Sequence, residues 1–155
     1  MSDISTLKEK INAKTFPLLL LGLLTGGLYM NVWMYRTFTA LEEVTHIKTM
    51  SPALFVLYLT VMGAIGTLNS IPHYYAFVLM GVLLILHFLL TLLWCFRVRR
   101  VLRAYTLAEH NFELRMNLVY IWLFTFCYIN YCINALPHDK QKDEEKKRQK
   151  QLVQA

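Results

Sequence analysis

Few side chains in this chain combine the type and the spacing that chemistry needs, and most of those lie inside apolar runs. His87 stands in LLILHFLLTLL, ten residues from the nearest Lys or Arg. An ionisable ring at such a place suits either a proton or ligand role or a hydrogen bond to a neighbouring helix. Asn130 and Asn134 are four apart and share one helical face, and Cys127 joins them from three residues earlier. With Asn31 they would act as polar glue between helices or line a polar pocket. Glu109, His110 and Glu113 crowd one stretch, yet no H-E-x-x-H or comparable spacing exists, so pairing of the carboxylates with Arg36, Arg103 or Arg115 is the expectation. Cys95, Cys127 and Cys132 lack C-x-x-C spacing and read as small buried side chains. No Ser-His-Asp set, P-loop or dinucleotide glycine pattern occurs. The expectation is therefore no catalytic, cofactor-binding or metal-binding residue, with action on lipids the remaining enzymatic option.

The elements that carry these residues are membrane-like. Hydrophobic residues make up 56% of the chain and charged ones 17%, against about 25% charged in an average soluble domain. The charges fall between four uncharged blocks, at 15–35, 51–71, 73–96 and 116–136, each near the 20 or so residues needed to cross a bilayer core. The expected fold class is thus an all-α integral membrane protein with four hydrophobic helical segments. Pro17 suits the first turn of the first segment. Ser51 reads as the N-cap of the second. The turn Asn69 to Pro72 joins segments two and three as an antiparallel hairpin, with His73 solvated beside it. A cleaved signal peptide is the competing reading of the first block, but its apolar run continues to Tyr35 with no A-x-A-like site. Beyond segment three, residues 97–113 form a basic amphipathic juxtamembrane helix, with Val98, Val101, Leu102, Tyr105, Ala108 and Phe112 at helical spacing. Pro137 is expected to stop segment four. That gives one membrane domain over 1–136 and a charged cytoplasmic tail over 137–155.

Charge placement raises a topological problem. Of the sixteen Lys and Arg, three precede the first block, two follow it, none lies in the 69–73 turn, five lie in 97–115 and six in the tail. Four straight spans put clustered arginines and the basic tail on opposite sides, against the positive-inside rule. If only segments two and three cross, every Lys and Arg shares one side. Segments one and four are then re-entrant or kinked. Gly26-Gly27 is where the first would fold back, leaving Tyr29, Trp33, Tyr35 and Arg36 as interfacial anchors. The opposing reading takes Gly22 and Gly26 as a G-x-x-x-G packing face of a straight helix.

Thr25-Gly26-Gly27-Leu28-Tyr29 followed by Trp33-Met34-Tyr35-Arg36 resembles the T-x-G-x-Y…W-x-Y-R opening of a bacterial membrane-protein family known as a domain of unknown function. Tyr128 to Leu136, YINYCINAL, is similar to that family's closing Y-x-x-Y-x-I-N-x-L. The resemblance covers about a third of the chain, and a second Thr-Gly-Tyr copy is absent or degenerate near Thr125 to Tyr128. It implies a bacterial inner-membrane location and brings no catalytic residues.

The functional expectation is a non-enzymatic inner-membrane module: an accessory or scaffold subunit, or a homo-oligomer, with cytoplasmic termini. Its packing and polar-cluster residues are Gly22, Thr25, Gly26, Gly27, Asn31, His87, Asn130 and Asn134, and Gly63 and Gly66 with Thr67 offer a further small-residue face. Arg97, Arg99, Arg100 and Arg103 are the expected contacts to anionic lipids, each worth about 1 kcal/mol near a charged surface; membrane anchoring argues against nucleic acid as their partner. Two alternatives stay open. One is a small oligomeric channel or transporter lined by His87, Asn31, Asn130 and Asn134. The other is a membrane-shaping hairpin protein.

Overall fold

A computed structural model describes residues 4–11, 13–71 and 74–154, with side chains over 7–11, 13–71 and 74–152. Pro72 and His73 of the expected turn lie outside the described residues. Six helices follow one another: α1 Ile4–Ile11, α2 Thr15–Leu24, α3 Leu28–Thr45, α4 Pro52–Leu68, α5 Tyr74–His110 and α6 Leu118–Gln154. The chain is all-helical, with no strand among the described residues. Two helices, α5 and α6, are long and apolar enough to cross a membrane, and α4 is a shorter apolar helix of 17 residues.

Local chemistry explains most boundaries. The Ser51 hydroxyl accepts from the Leu54 amide, and Pro52 opens α4 where its missing N–H costs nothing. The chain reverses at Asn69–Ile71, and α4 packs back along α5. At 37 residues, α5 is about 55 Å long, nearly twice the roughly 30 Å hydrocarbon core. Its first half is apolar and exposed. Its second half carries the arginines on one side and buries Val98, Val101, Leu102 and Tyr105 on the other. Ala108 is exposed, and Phe112 is buried from the irregular stretch 111–117 rather than from the helix.

The first apolar block does not run straight. It ends as α2, only ten residues long, and restarts as α3 after Thr25–Gly27. The fourth block is interrupted at Thr125, whose φ of 34° and ψ of −107° are non-helical. Pro137, expected to stop that block, instead sits inside α6. A proline removes one backbone hydrogen bond without forbidding the turns on either side. Here those turns are held by contacts: Leu136 is fully buried, and Lys147 Nζ donates to the Asn111 carbonyl oxygen at 2.6 Å.

The apolar core lies toward one end of the molecule. Leu7 and Ile11 of α1, Met34, Leu41 and Val44 of α3, Trp94, Cys95, Val98 and Leu102 of α5, Leu114, and Ile129, Cys132, Ile133 and Leu136 of α6 belong to one buried cluster. Ion pairs stitch the rim of that same end: Lys10 to Glu43 at 2.5 Å and Arg103 to Glu113 at 2.6 Å. The other end is different. Much of α2, α4, the first half of α5 and residues 118–124 expose large aliphatic and aromatic side chains.

Candidate functional site

The distinctive chemistry lies in two folded-back hairpins and the polar node that holds their bases. The first hairpin turns through Gly26 at φ 59° and Gly27 at φ 90°, left-handed values that favour glycine. The Gly27 amide donates to the Gly22 carbonyl oxygen at 2.7 Å and the Gly26 amide to that of Leu23 at 3.3 Å, a Schellman ending for α2. The Thr25 hydroxyl then does two jobs. It donates to the Leu21 carbonyl oxygen at 2.7 Å and accepts from the Tyr29 amide at 3.0 Å, linking the last turn of α2 to the first turn of α3. The remaining amides of the turn also have acceptors: Thr25 on Leu21, Leu28 on Thr25 and Met30 on Gly27. Every backbone N–H from 25 to 30 is thus satisfied within the hairpin. A Cβ on Gly22 would lie 2.8 Å from the Met30 Cε, so α3 returns closely along α2. In this fold Gly22 packs within its own hairpin, and a Cβ on Gly26 would meet open space.

The second hairpin uses no glycine. Residues 118–124 lead to Thr125 and the chain folds back. The Tyr128 hydroxyl accepts from the Asn117 amide at 2.9 Å, and the Tyr120 and Tyr128 rings are 5.6 Å apart. In a straight helix eleven residues would separate Asn117 and Tyr128 by about 16 Å along the axis. The tips of both hairpins are apolar and exposed, through Leu23, Leu24 and Leu28 on one and Trp122, Leu123 and Phe124 on the other.

At the hairpin bases, Asn130 is fully buried and fully engaged. Its Oδ1 accepts from the Trp33 indole Nε1 at 3.2 Å, while its Nδ2 donates to the Ala13 carbonyl oxygen at 2.9 Å and to the Thr15 hydroxyl at 3.1 Å. One turn on, Asn134 Nδ2 donates to the same Ala13 oxygen at 2.9 Å and to the Asn130 carbonyl oxygen at 3.0 Å. The two amides therefore clamp the α1–α2 junction and α3 onto α6. Beside them Trp33, Trp94 and Phe126 form a three-ring cluster, with centroids 5.7 to 6.1 Å apart, that joins α3, α5 and α6.

The other expected site residues disperse. Asn31 is buried, but its Nδ2 contacts the Met62 sulfur at 2.8 Å and not Asn130. His87 stacks on Tyr58 with centroids 4.4 Å apart, and its Nδ1 is buried without a hydrogen-bond partner among the described residues. Asn31 and His87 thus have neighbours on α4, apart from the node formed by Asn130 and Asn134. Of the expected anchors, Tyr35 and Arg36 are exposed and Tyr29 is half-buried, whereas Trp33 is only 3% exposed. Its indole N–H has a protein partner, so it is a core residue here rather than a headgroup anchor. That pairing spans 97 residues, a separation at which helical spacing carries no signal. Gly63 and Gly66 face open space.

The arginines border open clefts at the junction between apolar and charged surface. Leu93, Phe96, Arg99, Arg100 and Arg103 line one of about 510 Å³. Arg97 is exposed next to it. Glu113 is taken by Arg103, and among the described residues no group of three His, Cys, Asp or Glu side chains is placed to hold a metal ion. The three cysteines are free thiols, Cys95 and Cys132 buried and Cys127 half-buried. Compared with protein-family models, with curated proteins and with solved structures, the chain finds no match.

Proposed function

We propose that this chain is a non-enzymatic integral membrane protein, a structural module held in the bilayer by one crossing hairpin, α4–α5, and two re-entrant hairpins. Its cationic end rests on the anionic leaflet. One observation carries this reading: the turn at Thr25–Gly27 satisfies each of its backbone N–H groups internally while its flanking side chains are exposed and apolar. A turn in water has no need of such closure. A turn in hydrocarbon does, because each unsatisfied group there costs several kcal/mol. The stitching of α1, α3, α5 and α6 by ion pairs and the Lys147–Asn111 bond at one end supports a single aqueous face for all the basic segments. The cleft of Leu93, Phe96, Arg99, Arg100 and Arg103 suits a phospholipid phosphate with its acyl chain alongside.

A bacterial inner membrane, with both termini cytoplasmic, is the setting that the resemblance at Thr25–Arg36 and Tyr128–Leu136 implies. There the module would serve as an accessory or scaffold subunit, or assemble with copies of itself. The test is cysteine accessibility, using Thr45→Cys, Ile71→Cys, Leu107→Cys and Lys150→Cys in sealed membranes. Positions 45, 107 and 150 label from one compartment and position 71 from the other; labelling of 107 and 150 from opposite compartments overturns the reading.

A further inference from the structure

We infer that the chain is a one-leaflet wedge, which favours membrane that is convex toward its cationic end. The inference rests on the re-entrant reading above and adds a mechanical activity to it.

Depth comes first. The ten residues of α2 rise about 15 Å, half of a roughly 30 Å hydrocarbon core, and residues 118–124 rise about 10 Å. Neither hairpin reaches the far leaflet. The leaflet on the cationic side therefore holds six helical pieces: α2, the start of α3, part of α4, part of α5, residues 118–124, and the start of α6 beyond Thr125. The far leaflet holds only the remaining parts of α4 and α5. With a helix diameter of about 10 Å, the four extra pieces add roughly 300 Å² of cross-section to one leaflet per copy. A bilayer relieves that mismatch by bending so that the fuller leaflet lies on the outside of the curve.

The two kinds of turn in the molecule support this assignment. The α4–α5 turn presents Asn69 and Ser70, both exposed, as suits a turn that reaches water on the far side. The α2–α3 turn presents only glycines and a Thr25 hydroxyl that is already both donor and acceptor. Around it Leu23 and Leu24 are each 74% exposed, and Leu123 and Phe124 at the second tip are 57% and 56% exposed. Acyl chains of the cationic-side leaflet are the occupant that fits tips whose exposed side chains are large and apolar.

The test uses the full chain in giant vesicles containing anionic lipid, labelled from outside with an impermeant dye at Lys150→Cys, so that only copies with the cationic end outward are seen. Narrow tubes are pulled outward, and dye density on tube and vesicle body is compared. The wild-type background is enriched on the tube several-fold. Leu23→Ser, Leu24→Ser, Leu123→Ser and Phe124→Ser combined change only exposed tip positions and return the ratio to about one. Equal density for the wild-type background, with positions 45, 107 and 150 still labelling from one side, overturns the wedge and leaves the topology standing. Labelling of 107 and 150 from opposite sides overturns both.

Discussion

Replacing Thr25 by valine should separate a hairpin tip in lipid from one in water. The two side chains have nearly the same shape and the same β-branch, so the backbone turn and its packing are preserved. What changes is one hydroxyl, which accepts from the Tyr29 amide at 3.0 Å and donates to the Leu21 carbonyl oxygen at 2.7 Å. The Leu21 oxygen also receives the Thr25 amide, so losing the hydroxyl donor costs it little. The Tyr29 N–H has no second acceptor within the hairpin. In water a solvent molecule would replace the hydroxyl, and the net cost would be about 0.5–1.5 kcal/mol. In hydrocarbon the amide is orphaned, and the cost is about 1–3 kcal/mol on the scale of buried unsatisfied groups in proteins. Thr25→Ser restores the acceptor and should recover most of the loss. Reversible unfolding in bicelles, followed by indole fluorescence, measures all three proteins. A Thr25→Val cost below about 1 kcal/mol, or a serine variant as weak as the valine one, would refute the placement of this turn in lipid.

Asn130→Leu removes the acceptor of the Trp33 indole N–H at a fully buried site and should destabilise by about 2–4 kcal/mol, combining an orphaned donor with lost bonds. The same unfolding assay, run as a cycle with Trp33→Phe, should return a coupling of about 1 kcal/mol; an additive pair would deny the bond its role. Gly27→Ala places a side chain at φ 90° and should cost about 1–2 kcal/mol, whereas Gly63→Ala, in a helix with open space around it, should be neutral or stabilise by up to about 1 kcal/mol; equal costs would remove the conformational argument. Arg99→Gln, Arg100→Gln and Arg103→Gln together should weaken retention of anionic phospholipid through copurification by about a hundredfold, at about 1 kcal/mol per charge, and lipid analysis of the purified protein would detect it. An unchanged lipid complement would remove the headgroup contact.

The readable and unreadable parts of this fold differ in the range of the interactions behind them. Gly26-Gly27 is legible as a site for a break because only glycine takes left-handed values freely, though Gly22 and Gly26 equally fit the packing face of a straight helix. Thr125 carries no such mark. Its backbone is turned by what surrounds it, including Tyr128 on the Asn117 amide and Tyr120 against Tyr128. The shared face of Asn130 and Asn134 follows from their spacing of four, but not their common target, the Ala13 carbonyl oxygen more than a hundred residues away. Trp33 looks like an interfacial aromatic beside Tyr35 and Arg36. It is buried because α6 supplies an acceptor for its N–H and α5 a ring for its edge. Asn31 looks like a partner for Asn130 and meets Met62 instead, since α4 rather than α6 lies along that side of the first hairpin.

By itself, the sequence determined the helical class, the apolar blocks with every Lys and Arg outside them, and the turn between α4 and α5, and it left the glycine pair as either a break or part of a straight packing face. Each follows from residues adjacent in the chain, through lipid-like solvation of an uncharged run or the φ that one residue type permits. Only the tertiary structure decided that the first block breaks at the glycine pair, that the fourth block, re-entrant or kinked in one reading of the charges, turns at Thr125, that α6 continues through Pro137, and that Trp33, Asn130 and Asn134 form one node. Those outcomes depend on donors and acceptors brought together from distant segments. A buried polar group is satisfied by whatever the fold places beside it, and helical periodicity does not encode that choice.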